Sequence, residues 1–188
     1  MSCGRPMIQS VLHCTSCQQR PLPLNQIRAA VVFGEPVDHL IHLMKYEGYF
    51  ALAEPLAGLM LEAWPRWQTP VDLILPIPLS ARRERERGYN QSELLVRQLA
   101  RQLGWATAPT ALRRRRHTRP QVGLDADERR HNLHDAFVAE REAVTGQQIL
   151  LVDDVCTTGA TLVAAAEALL AAGAASVSAY CLARATLD

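Results

Sequence analysis

The stretch Ile149-Leu150-Leu151-Val152-Asp153-Asp154-Val155-Cys156-Thr157-Thr158-Gly159-Ala160-Thr161 decides the fold. Its first four residues are apolar, as expected for a parallel strand covered on both faces. Downstream, Leu162, Ala165, Ala166, Leu169 and Leu170 recur at helical spacing until Gly173, which predicts a helix with a glycine stop. Ser176 to Leu182 reads as a further strand. Strand, loop, helix and strand make one βαβ unit, so the class is α/β.

The loop between that strand and helix carries the chemistry. Asp153 and Asp154 put two carboxylates at the carboxyl end of a strand, where open α/β sheets bind ligands. The turn that follows opens a helix, whose unsatisfied N–H groups and positive dipole end suit an anion. Threonine hydroxyls add donors. Diols or a hydrated Mg²⁺ would satisfy the carboxylates, and a phosphate monoester would satisfy the turn. One ligand that offers both is a ribose 5-phosphate.

Working outward, Asp72 to Pro78 is a short apolar strand stopped by prolines, and Ala29 to Phe33 is a strand ending at Gly34. Val37 to Met44 has helical periodicity, and Leu52, Leu56, Leu59 and Met60 continue a second stripe. Ser80 to Tyr89 reads as a charged loop. Asn90 caps the next helix with Glu93 near capping-box position, and Leu95, Leu99 and Leu103 share its face up to Gly104. Ala111 to Arg116 predicts a short strand, and His117 to His134 a long basic loop.

With 188 residues, 48% apolar and 21% charged, the composition is that of a globular protein able to bury a core without disulfides. No run approaches the ~20 apolar residues of a membrane span, and the N-terminus lacks a basic-then-apolar export signal. A soluble, cytoplasmic protein is expected. Lys45 is the only lysine. Between Arg82 and Arg130 stand 13 arginines against 6 acidic residues, which fits either an anionic partner or a solvated face. Arg113 and Arg115 are the candidate contacts to nucleic-acid phosphates. Aromatics make up only 5% of the chain, which leaves Tyr89, Trp105 and Phe137 as candidates for base stacking, the last two also suited to a core.

His13-Cys14-Thr15-Ser16-Cys17 is a C-x2-C knuckle able to place two thiolates on one Zn²⁺, and Cys3-Gly4 resembles the second half of another. Cys3, Cys14 and Cys17 leave a tetrahedral site one ligand short. His13, another group, or a cysteine upstream of a misplaced start would complete it; otherwise the knuckle is vestigial.

Ile149 to Thr161 resembles the phosphoribosyl-pyrophosphate (PRPP) motif of type I phosphoribosyltransferases. That resemblance implies a catalytic role for Asp153 and Asp154 on the ribose hydroxyls, with Mg²⁺ nearby. It implies that Val155, Cys156, Thr157, Thr158, Gly159, Ala160 and Thr161 wrap the 5-phosphate, with Cys156 a small filler rather than a nucleophile. His42 to Gly48, Leu75 to Leu79 and Arg87 to Gln91 look like the ComF/GntX family of competence-associated proteins, and Gln121, Arg129, Asn132 and Ala136-Phe137 fit the same pattern. Two departures are the absent first zinc cysteine and His134-Asp135, where a basic residue and glycine are expected.

The family implies a phosphoribosyltransferase-like parallel sheet flanked by helices over residues 25–188, preceded by a small Cys-rich, zinc-knuckle-like segment over 1–24. Pro76-Ile77-Pro78-Leu79 resembles the pyrophosphate loop, with Arg82, Arg83 and Arg87 near it. Lys45 would face the same pocket or stabilise a helix end. The implied function is a PRPP-binding protein of DNA uptake or DNA utilisation, with single-stranded DNA and competence proteins as partners. A nucleobase-salvage transferase and a PRPP-sensing regulator would share the same phosphate cradle.

Overall fold

The computed structural model describes residues 3–4, 15–19, 21–66, 69–115 and 136–186. After a short helix α1 (Thr15–Gln19), the chain runs β1 (Ile27–Val32), α2 (Val37–Tyr46), α3 (Ala53–Ala63), β2 (Leu73–Pro76), α4 (Ala81–Arg87) and α5 (Gln91–Leu103). Then follow β3 (Ala106–Thr107), β4 (Leu112–Arg114), β5 (Phe137–Ala139), α6 (Arg141–Val144), β6 (Gln148–Cys156), α7 (Ala160–Ala171) and β7 (Ser176–Arg184).

Five strands form one all-parallel sheet in the order β1-β7-β6-β2-β3. The apolar run of β6 sits at its centre because both faces are covered. Ile149 and Leu151 join a cluster with Leu162, Ala165, Ala166 and Leu169 of α7. Leu150 and Val152 join the opposite cluster, with Met44 of α2, Leu56 and Met60 of α3, and Leu95 and Leu99 of α5. Tyr180 of β7 lies in the second cluster, where its hydroxyl donates to Met60 O at 2.6 Å and so is not stranded by burial. The expected α/β class and parallel sheet are as the structure has them.

Two local expectations need correction. Ser80 to Tyr89 is largely helical: the Ser80 hydroxyl accepts from Arg83 N, and Gly88 closes α4 in the left-handed region at φ 79°. Arg82 pairs with Glu86 one turn on, a helical spacing that a loop reading overlooks. Asn90 does cap α5, accepting from Ser92 N at 3.0 Å, but Glu93 turns to Arg97 instead of completing a capping box. The Asn90 amide also donates to Ile77 O at 2.9 Å, tying α5 to the exit of β2.

β4 and β5 form a separate antiparallel pair, of which β4 falls within the short strand expected over Ala111 to Arg116. Cys14, Gln121, Arg129, Asn132 and the His134-Asp135 turn lie outside the described residues. No helix among the described residues is long and apolar enough to cross a membrane.

Candidate functional site

The end of β6 places the two carboxylates. Each aspartate's Oδ1 accepts the next backbone N–H: Asp153 from Asp154 N at 3.0 Å, Asp154 from Val155 N at 2.7 Å. Ser92, fully buried in the first turn of α5, donates its hydroxyl to Asp153 Oδ1 at 2.9 Å. Lys45 from the last turn of α2 brings Nζ to 2.7 Å from Asp154 Oδ2. Strand, helix and helix thus converge on one pair of side chains.

Asp153 sits in a buried, like-charged setting. Burial and the adjacent Asp154 push the Asp153 carboxyl up to about 7, against the opposing pull of Ser92, the Asp154 N–H and Lys45. Arg114 of β4 belongs to the same field: its pKa is lowered by burial and by Arg83, and raised by Asp153. Two oxygen-donor carboxylates at a strand end fit Mg²⁺, a hard cation that keeps part of its water shell. In this structure the Lys45 ammonium supplies the positive charge at Asp154.

The turn after β6 leads directly into α7. Gly159 sits at φ 84° as the N-cap of α7, a conformation that costs glycine nothing. A β-carbon there would come 3.4 Å from Ile27 Cδ1 and 3.7 Å from Cys156 Sγ, so the turn is also closely backed. Thr157 and Thr158 are exposed, and the Thr158 hydroxyl accepts from Ala160 N at 3.3 Å. The first turn of a helix has N–H groups without intrahelical partners, and here Thr158 takes one of them. Cys156 is buried and hydrogen-bonded to Cys181 and to Arg184 Nη1, contacts that pull its thiol below the usual range. Arg184, itself buried at the end of β7, was not singled out from sequence, since one arginine in an apolar strand carries no pattern.

Beside the carboxylates opens a cleft of about 360 Å³ lined by Lys45, Tyr46, Gly48, Arg83, Glu86, Arg87 and Tyr89. Lys45 and Arg87 therefore share a cavity that adjoins Asp154. Arg82 points elsewhere, paired with Glu86 on the exposed face of α4, and Arg83 takes the cleft position. Arg113 and Arg115 are exposed, flanking the inward Arg114, whose guanidinium lies 5.4 Å from the Phe137 ring centroid. Of the expected stacking aromatics, Phe137 is core, Trp105 packs edge-on against Trp64, and Tyr89 lines the cleft with its hydroxyl on Met44 O. Cys3 is half-buried and Cys17 buried; among the described residues no three His, Cys, Asp or Glu side chains group to hold a metal.

Residues 90–186 match the phosphoribosyl transferase domain family. The chain is 38% identical to the DNA utilization protein YhgH of Escherichia coli O157:H7, over 97% of this chain and 82% of that protein. It is 32% identical to competence protein F of Haemophilus influenzae, over 97% of this chain and 83% of the relative. With the competence protein ComFC of Bacillus subtilis it shares 30% identity, over 97% of this chain and 76% of the relative. The chain belongs to the ComF family of competence and DNA-utilisation proteins, built on a phosphoribosyl transferase domain.

Proposed function

We propose that this protein binds PRPP with Mg²⁺ at the β6–α7 junction and serves DNA uptake or DNA utilisation, engaging single-stranded DNA in the cytoplasm. The observation that carries the reading is the pairing of Asp153 and Asp154 with the Thr157–Thr161 turn on one strand end. The ribose hydroxyls would meet the two carboxylates, and the 5-phosphate would meet the turn N–H groups and the hydroxyls of Thr157, Thr158 and Thr161. Lys45 and Arg87 would face the pyrophosphate from the cleft. Mg²⁺ bound with PRPP would offset the charge of the pyrophosphate, and Lys45 would turn from Asp154 toward that group. Positioning and charge complementarity are the protein's work here.

Residues 1–24 form the metal-binding segment in this reading, with Cys3, Cys14 and Cys17 on Zn²⁺, and residues 25–188 form the PRPP domain. Competence or DNA-uptake proteins are its expected partners. The test is to incubate the purified protein with PRPP, Mg²⁺ and a panel of nucleobases, and to follow pyrophosphate. Absence of base-dependent release is expected; release that requires a base would make the protein a salvage transferase.

A further inference from the structure

Six large hydrophobic side chains stand exposed among the described residues, and three of them, Tyr46, Tyr49 and Phe50, fall within five positions. Their exposures are 69%, 55% and 60%, an unusual waste of aromatic surface in a chain with so few aromatics. The local backbone explains how they come to the surface. α2 ends at Tyr46, Gly48 turns the chain at φ 75°, and Phe50 starts the short turn that leads inward to Ala53 and Leu56.

Neighbours hold two of these rings, Tyr46 and Phe50, in place. The Arg87 guanidinium lies 5.2 Å from the Tyr46 ring centroid, and His42 stands 4.9 Å from the same ring. Phe50 meets Tyr89 edge to face at 5.6 Å, and the Tyr89 hydroxyl is anchored on Met44 O. Tyr46 lines the cleft beside Lys45, Arg83 and Arg87, Phe50 reaches its edge through Tyr89, and Glu86, its acidic member, is already paired to Arg82. Fixed aromatic faces beside clustered cations are complementary to a strand that offers flat bases and an anionic backbone. An apolar protein partner would not call for the cations, and an acidic peptide would leave the exposed aromatic surface without a match.

We propose that Tyr46, Tyr49 and Phe50 form a stacking ledge for a short segment of single-stranded DNA, with Arg83 on its backbone phosphate. The proposal rests on the DNA reading above and gives it a place distinct from Arg113 and Arg115. It also sets the strand next to Lys45, and so within one side chain of Asp154.

Fluorescence anisotropy with a labelled oligothymidylate tests it across a salt series. Tyr46→Ala with Phe50→Ala should weaken binding about tenfold or more, because stacking is lost, while the salt slope stays unchanged. Arg83→Gln should make the slope shallower by about 0.7, the share of one phosphate contact. Tyr46→Trp and Phe50→Tyr should bind like the parent. A folded Tyr46→Ala/Phe50→Ala protein, with parental melting temperature and parental affinity, would overturn the ledge and leave the DNA reading standing. So would a patch that turned out to bury itself in a homodimer, seen as sedimentation of a dimer that this double variant dissolves. If the parent bound no oligonucleotide even at low salt, the DNA reading itself would fall.

Discussion

Lys45 Nζ lies 2.7 Å from Asp154 Oδ2, and this ion pair joins the end of α2 to the end of the central strand. Asp154 is 5% exposed in its side chain and Lys45 20%. Breaking a buried pair by removing one partner costs about 3–5 kcal/mol, and the partial exposure of Lys45 brings our expectation for Lys45→Met to about 2 kcal/mol. Urea unfolding reads it. Adding Asp154→Asn should restore most of the loss, since the stranded carboxylate is then gone; a double variant no more stable than Lys45→Met would contradict the pairing.

The Asp153 carboxyl, held up to about 7 in the folded protein, loses its proton near pH ~4 when unfolded. Between those values folding takes up a proton. The contribution of this group is therefore complete below the unfolded value and is lost as pH rises through about 7. Asp153→Asn removes the titration, so the stability of the parent relative to this variant should fall with rising pH across that window. A constant difference from acid to neutral pH would show that Asp153 titrates normally.

Freshly purified, reduced protein should contain about one zinc per chain if Cys3, Cys14 and Cys17 share a site. Chelation should loosen the first twenty residues while the sheet, which has its own core, keeps its melting temperature. Adding a cysteine before Met1 should tighten the metal. Background zinc in such a preparation would make the knuckle vestigial.

Salt separates backbone contacts from stacking. If about four arginines of the basic middle meet phosphates, log K against log[salt] for a single strand should slope near about −3. Arg113 on β4 and Arg115 just after it are both exposed, so replacing both with Ala spares the fold and should reduce the slope by about 1.4. Affinity should vary little with base sequence, since phosphate contacts carry none of that information. An unchanged slope would remove these two from the interface.

The central strand and its helix could be read directly, because an all-apolar run and a helical stripe each encode burial in their own period. Asn90 was equally legible as a cap. Helix α4 was not: its charged residues carry no apolar stripe, and only Ser80, Gly88 and the Arg82–Glu86 spacing mark it. The carboxylates and the turn were visible from Asp153 to Thr161, whereas Ser92 and Lys45 reach Asp153 and Asp154 from 61 and 109 positions away, a convergence that only the packed sheet creates. Tyr46 is legible only as the neighbour of Lys45 in the His42 to Gly48 stretch, and Tyr49 and Phe50 carry no signal, because aromatics beside a helix end look like core until the backbone turns them outward.

PRPP binding at the β6–α7 junction is tested most directly by thermal or chemical unfolding with and without PRPP and Mg²⁺. At a hundredfold excess over Kd the ligand should stabilise the parent by about 2.7 kcal/mol. Asp153→Asn with Asp154→Asn should lose most of that gain while remaining folded, and Thr158→Val should do the same from the other side of the site. A stabilisation that survives both changes would place the ligand elsewhere, and a parent that PRPP does not stabilise at all would contradict the account.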